Sequence, residues 1–317
     1  MTPEGAIISG GFTSFLIQMK TRIENINREG TTKPLRTKRW FGQMRRPSDY
    51  YGCPHFQPEL PPEETSDTVE QKRQQLCEIY KREGVHGGER AEVVNLMKAT
   101  FCLQRNQINT TPVPSLDDLR NQWPFLFTQR GILDHLELLT DISFLRALEL
   151  SIEECGQRVE MYLRTKAKNQ STLPVDEDGE LTLRIIQLLM AYFDERRDAL
   201  ILLADMSATA ADVERTLTLP TSPRLILLVA GDKVTIQRWM ISMEGDVICE
   251  GVQPSFISGL AALLATYYVF NLEYQEEGAR TLEFVQRRFI GVNPERGTKA
   301  SQGKVVSKKT GKLVQQL

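Results

Sequence analysis

The sequence predicts an α+β fold, with an N-terminal all-helical region followed by a small mixed β-sheet packed with helices. Apolar residues recur at helical spacing through 66–165. Short continuous apolar runs follow at Leu200–Leu203 and Leu225–Val229, where their length and flanking residues favour buried strands. A polar stretch at 166–180 separates these two patterns and is predicted to be a linker.

The N-terminal part, 1–46, is predicted to contain one amphipathic helix followed by a basic segment at 33–46. Four prolines lie within 54–65. Because proline fixes φ and removes a backbone donor, we expect 47–65 to form an extended, proline-rich connector.

The helical domain is predicted over 66–165. Ser66 or Asp67 can cap its first helix, Gly84 can end that helix, and Ser115 can cap a later one. Apolar periodicity predicts further helices at 89–105, 130–139 and 143–165.

The α/β domain is predicted over 181–292, and 293–317 is predicted to be a disordered basic tail. Short turns after the second and third strands favour antiparallel hairpins. The predicted elements are a helix at 181–192, strands at Leu200–Leu203, Leu225–Val229, Val234–Met240 and Val247–Cys249, and helices at 255–271 and 278–290.

Charge is segregated along the chain, although the net charge is only −2. Segments 33–46 and 296–312 contain twelve cations and no acid, which leaves −14 on the remainder. The five cysteines are an odd number and are far apart in sequence, so we expect reduced thiols in the cytoplasm or nucleus. The apolar stretch Phe256–Phe270 is too short for a bilayer span, and we expect no membrane insertion.

No motif predicts a catalytic residue, a metal ion or a cofactor. Cys53 and His55 are too closely spaced for zinc ligands and lack a second pair, so a turn is the favoured interpretation. Neither a phosphate-binding glycine loop nor a G-x-S-x-G nucleophile motif is present. His135 falls in a helical pattern, where we expect it on the helix surface.

The basic segment interleaves aromatic residues with cations, which is one way to bind nucleic acid, since cations neutralise phosphates and aromatic rings stack on bases. A solvated connector or a nuclear-import signal explains the same composition. The candidate nucleic-acid-binding residues are Lys33, Arg36, Lys38, Arg39, Trp40, Arg45 and Arg46.

A second candidate site lies where the first strand ends, at Asp205 and Ser207. A carboxylate and a hydroxyl at a strand end are typical of ligand sites in α/β sheets. The simpler interpretation is structural: Ser207 caps the following helix, and an acid there suits the positive end of the helix dipole.

Five strings carry a resemblance to a known family. They are Arg22–Arg28, Tyr51–Cys53 with Phe56–Pro58, Trp123–Phe127, Tyr268–Tyr274 and Gly291–Pro294. Together they resemble the vertebrate family described as similar to sterile alpha motif domain-containing protein 3, over about residues 12–295. The residues before Lys33 are too few for the sterile alpha motif, so we expect the resemblance to exclude that module. It implies interaction or regulation and contributes no catalytic residue.

The favoured hypothesis is therefore a non-enzymatic intracellular interaction or regulatory protein with a protein partner. One alternative is a nucleic-acid-associated protein that uses segments 33–46 and 296–312. A second alternative is an α/β enzyme without a recognisable motif, which rests on architecture alone.

Overall fold

A computed structural model describes residues 56–167, 175–177, 179–230, 236–251, 255–292, 310 and 313–314. Helices come first and the sheet follows with helices packed around it, which confirms the predicted fold class. The predicted N-terminal helix and basic segment at 1–46 lie outside the described residues.

The helical region contains six helices within the described range 56–167, joined by short loops and two 3₁₀ turns. They are α1 (Ser66–Glu83), α2 (Ala91–Ala99), α3 (Phe101–Ile108), α4 (Leu116–Gln122), α5 (Gln129–Thr140) and α6 (Phe144–Ala167). The 3₁₀ turns span Gly84–Glu89 and Pro124–Phe127.

Helix α1 begins one residue earlier than predicted. Its cap is Thr65, whose Oγ1 accepts a hydrogen bond from the Thr68 backbone N–H at 3.2 Å. The Thr68 hydroxyl accepts in turn from the Thr65 N–H at 2.9 Å, so each residue satisfies an N–H of the other. The predicted end at Gly84 (φ 60°) and the predicted cap Ser115 are both confirmed.

The helix predicted over 89–105 is interrupted at Thr100, so α2 and α3 are separate helices. The buried Thr100 hydroxyl donates to the Leu96 carbonyl at 2.8 Å. Such back-bonding competes with regular helix geometry and often bends a helix, which accounts for the break.

The second part of the chain forms a four-stranded mixed sheet with helices before, within and after it. Its elements are α7 (Leu181–Phe193), β1 (Ile201–Asp205), α8 (Ala210–Thr216), β2 (Arg224–Val229), β3 (Ile236–Met243), β4 (Asp246–Gly251), α9 (Phe256–Val269) and α10 (Ala279–Phe284), which continues as a π-helical segment at Val285–Ile290.

The strands are arranged in the order β1-β2-β3-β4, with β1 parallel to β2 and the other pairs antiparallel. The predicted hairpins are therefore confirmed. The turn between β3 and β4 places both Glu244 (φ 56°) and Gly245 (φ 96°) in the positive-φ region, as a type I′ hairpin turn requires. The predicted turn at Gly231 lies outside the described residues.

One hydrophobic core contains residues from both regions, running from Leu76 in α1 to Val292 and also including Leu313. Helix α9, whose residues are almost all buried, packs on β2 and β3 and also on α5 and α6. A smaller cluster around Val213 of α8 covers the opposite side of the sheet. The helical and sheet regions thus share one core inside the compact unit Pro47–Leu317, while the domain boundaries read from the sequence stay a prediction.

Arg105 links the two regions through polar contacts. It is fully buried in α3, and its Nη1 donates to the Val269 carbonyl at the end of α9 at 2.7 Å. Its Nη2 donates to the side-chain oxygens of Asn109 and Asn271, each at 3.1 Å. The guanidinium therefore satisfies a helix C-terminus, where a cation also suits the dipole.

No helix in the described part of the chain is both long and apolar enough to cross a bilayer.

Candidate interaction surface

The predicted nucleic-acid-binding residues lie outside the described residues and have no structural account. They are Lys33, Arg36, Lys38, Arg39, Trp40, Arg45 and Arg46. Segment 296–312 is likewise outside, apart from Thr310, as are Cys53 and His55. Within the described ranges, no group of three or more His, Cys, Asp and Glu residues is arranged to hold a metal ion.

Asp205 and Ser207 do come together at the end of β1, where both are exposed. The Ser207 N–H and hydroxyl donate to Asp205 Oδ1 at 2.8 and 2.5 Å. These hydrogen bonds, first from the side chain and then from the backbone, lower the pKa of Asp205. The pair forms a local turn on the protein surface.

The prediction that Ser207 caps the next helix is wrong. Helix α8 is capped by Thr209, whose Oγ1 accepts from the Asp212 N–H at 3.2 Å while Asp212 accepts from the Thr209 N–H at 3.1 Å. Asp205 binds the Ser207 hydroxyl instead, because a carboxylate two residues earlier forms a tight turn with it.

His135 is buried, which contradicts its expected position on the helix surface. Its ring is only 2% exposed, packs edge-on to Phe101 and contacts Gln104 Oε1 through Nδ1 at 2.9 Å. Nε2 has no hydrogen-bond partner among the described residues. The ring lines a cavity of about 20 Å³, enough for one water molecule.

Glu195 is buried although it lies in the run of five charged residues at 194–198. Its carboxylate is buried and accepts hydrogen bonds from the N–H groups of Arg280 and Thr281 at 2.9 and 3.1 Å. Burial raises the pKa of Glu195. This carboxylate satisfies the start of α10, so its role is structural.

The unpaired edge of β1 is the feature of the described chain that fits a binding role best. The register pairs Ile201, Leu203 and Asp205 with β2 residues in a parallel ladder. The Leu225 N–H donates to the Leu200 carbonyl, and the Met206 N–H donates to the Val229 carbonyl.

Because these ladder bonds use the alternate residues of β1, the N–H and C=O groups of Ile201, Leu203 and Asp205 point away from β2. Among the described residues, the outward groups of Ile201 and Leu203 and the Asp205 N–H have no hydrogen-bond partner, while the Asp205 carbonyl accepts from the Ala208 N–H at 3.0 Å. Within the described chain, β1 therefore presents a free edge at Ile201 and Leu203 and at the Asp205 N–H.

The opposite edge of the sheet, at β4, is bonded to the surrounding helices. The Val247 carbonyl accepts from Arg120 Nη2 at 2.9 Å, and the Val247 N–H donates to Glu214 Oε1 at 2.8 Å. Natural sheets protect edges by such covers, or by proline, lysine and bulges. The sequence Ile-Leu-Leu-Ala-Asp of β1 contains none of these residues, and its pairing has no register shift.

Two clefts flank the β1 edge. One, of about 430 Å³, is lined by the apolar side chains of Leu202 and Leu203 together with Arg196 and Arg197. The other, of about 490 Å³, lies beside Leu202 and is lined mainly by polar residues. The edge thus combines main-chain hydrogen-bonding groups with apolar side chains and nearby charge.

Charge differs between the two ends of β1. Arg196 pairs with Asp198 before the strand, whereas Arg197 has no carboxylate within ion-pair distance in the described chain. At the other end, Asp205 contacts Ser207 and has no cation within ion-pair distance among the residues that the structure describes. One unpaired cation therefore precedes the strand and one unpaired carboxylate ends it.

Comparison with known proteins gives one match. A family model described as the helical domain of sterile alpha motif domain-containing protein 3 matches residues 69–128. The match runs from α1 through the 3₁₀ turn at Pro124–Phe127 and confirms the resemblance over that segment. No curated protein and no solved structure matches the chain.

Proposed function

We propose that this protein is a non-enzymatic interaction protein that binds an extended protein segment along the edge of β1. The observation that supports the proposal is that no described residue satisfies the outward N–H and C=O groups of Ile201 and Leu203 or the outward N–H of Asp205. An added strand would satisfy these groups and extend the sheet, a recognised mode of peptide binding.

The side chains of β1 would supply part of the binding energy. Leu202 and Leu203 are half-buried on opposite sides of the sheet edge, and a strand laid beside them would remove their remaining apolar surface from water. The main chain would supply affinity without strong sequence preference, while these flanking side chains would select the bound segment.

We place this activity in the cytoplasm or nucleus. Cys77, Cys102, Cys155 and Cys249 are free thiols, and the last three are buried. Burial raises the pKa of the Cys102 thiol, which keeps it protonated and unreactive. Free buried cysteines are typical of proteins kept in a reducing compartment.

The test compares proteins recovered from cells with the tagged parent and with Leu203→Pro. Proline at 203 removes an outward N–H and leaves the β1–β2 ladder donors in place, so it should block the edge and preserve the fold. Met161→Lys, which changes an exposed apolar residue on α6, is the control surface variant.

Partners lost with Leu203→Pro and retained with Met161→Lys would support the proposal. An unchanged set of partners with a Leu203→Pro protein of parental circular dichroism would refute it.

The basic segments favour nucleic acid as the alternative ligand. Replacing Arg36, Lys38, Arg39, Arg45 and Arg46 by alanine should then abolish oligonucleotide binding, and binding by the parent should fall steeply with salt. Absence of binding by the parent at low salt would remove this alternative.

A further inference from the structure

We infer that the segment bound by β1 is β1 of a second copy of this chain, in an antiparallel pair about a two-fold axis at Leu203. The inference rests on the proposed function and names the partner of the same edge.

The outward groups of β1 are arranged so that a second copy satisfies all of them. Centred on Leu203, an antiparallel pair places Leu203 opposite its counterpart and Ile201 opposite Asp205 of the other copy. These are the residues that exchange two hydrogen bonds in an antiparallel ladder. Three such pairs give six hydrogen bonds: four join groups that are free among the described residues, and two reach the Asp205 carbonyls, which also accept from the Ala208 N–H of their own chain.

The charges at the two ends of β1 favour the same arrangement. An antiparallel pair places the Arg197 end of one copy beside the Asp205 end of the other. Neither side chain has an oppositely charged partner among the described residues, and about the axis each Arg197 lies at the same end of the strand pair as the other copy's Asp205. A parallel pair would instead place like charges together.

The size of the contact sets the expected affinity. A five-residue strand pair buries less than the roughly 1,200 Å² at which stable interfaces begin. We therefore expect a weak, exchanging dimer with a dissociation constant between about 10 µM and about 1 mM. Because the two copies use the same surface, the assembly closes at two.

Sedimentation of the purified chain from about 1 µM to about 1 mM tests the inference over that range of affinities. The parent should shift from monomer to dimer, and Leu203→Pro should remain monomeric with an unchanged circular dichroism spectrum. Ala204→Pro is the matched control, since the Ala204 N–H points toward β2 and its loss should lower the melting temperature. Equal melting temperatures for the two proline variants would overturn the assigned edge.

Charge variants test the orientation without proline. Asp205→Arg should weaken the dimer about tenfold, because a two-fold symmetric dimer contains the substitution at two equivalent positions. Arg197→Asp combined with Asp205→Arg should restore dimerisation. Failure of the double variant to recover would overturn the antiparallel arrangement.

Co-expression of two differently tagged copies separates this inference from the proposed function. Recovery of the second copy by the parent but not by Leu203→Pro supports both. A chain that stays monomeric while another protein is lost with Leu203→Pro overturns the self-pairing and leaves the proposed function intact. Self-association that persists in Leu203→Pro overturns the inference, and loss of neither kind of partner overturns both proposals.

Discussion

Replacing His135 by glutamine should make the stability of the protein less dependent on pH. His135 is buried, its Nε2 has no partner among the described residues, and its neighbourhood contains the cation Arg105. Burial, and then the positive charge of Arg105, lowers the pKa of His135 well below the ordinary value of 6.5. The folded protein therefore holds a neutral imidazole, while the unfolded chain takes up a proton near pH 6.5.

The sign and size of the effect follow from this difference in proton uptake. A histidine whose folded pKa is lowered contributes stability above its unfolded pKa and loses that contribution as the pH falls. From about pH 7.5 to about pH 5, an ordinary unfolded histidine becomes almost fully protonated. The free energy of unfolding of the parent should therefore fall by about 2 kcal/mol more than that of His135→Gln.

Urea unfolding of both proteins at the two pH values measures this difference directly. Subtracting the variant's loss of unfolding free energy from the parent's loss removes the contribution of the carboxylates that titrate in both proteins. His86→Gln, which changes an exposed histidine, is the control and should keep the parental loss. An equal loss of stability in the parent and His135→Gln would refute the reasoning, since a buried neutral histidine must lose stability in acid.

Five further substitutions, two of them controls, test the packing and capping. Thr209→Ala should lower the free energy of unfolding by about 1 kcal/mol, and Ser207→Ala should lower it less, because Thr209 is the cap of α8. Gly251→Ala should lower it by about 3 kcal/mol, because a Cβ there would lie 2.0 Å from an indole carbon, whereas Gly88→Ala meets ordinary contacts at 3.4 Å. Arg105→Met should lower it by at least about 2 kcal/mol, because the α9 C-terminus would lose its donor. Urea unfolding measures all of these, and a Ser207→Ala effect larger than that of Thr209→Ala would contradict the capping assignment.

The sequence predicts the elements of the fold well because the evidence for each is local. Helical periodicity locates α6 and α7, continuous apolar runs locate β1 and β2, and the Glu244–Asp246 turn marks a hairpin. Local pattern also fixes their order and therefore the fold class. The errors at Thr65 and Thr209 are shifts of one or two residues between neighbouring side chains that can all serve as caps.

The sequence does not predict the burial of a residue when that burial depends on contacts with residues far away along the chain. His135 is buried because Phe101 and Gln104, more than thirty residues earlier, pack against it. Glu195 is buried because the start of α10, about 85 residues later, needs an acceptor. The polar composition of 166–180 does not reveal that α6 and α7 pack on each other.

The candidate site was missed for the same reason. The apolar run at Leu200–Leu203 predicts a buried strand, and β1 is indeed half-buried or better along most of its length. An edge strand whose face is covered by the core has the same apolar composition as a central strand. Only the sheet order, which places β1 beside β2 alone within the described chain, reveals that the outer groups of Ile201 and Leu203 have no strand to pair with there.

A closed dimer also requires that the second edge of the sheet stay covered, and the helical region provides that cover. Arg120 of α4 and Glu214 of α8 occupy the carbonyl and the N–H of Val247 in β4. Replacing Arg120 and Glu214 by alanine should free this edge, so that each chain presents two pairing edges and association no longer stops at two. Light scattering of the double variant should show species larger than dimers, and adding Leu203→Pro should return it to dimers or smaller. A double variant that stays at the size of the parent would show that the bonds to Val247 do not limit assembly.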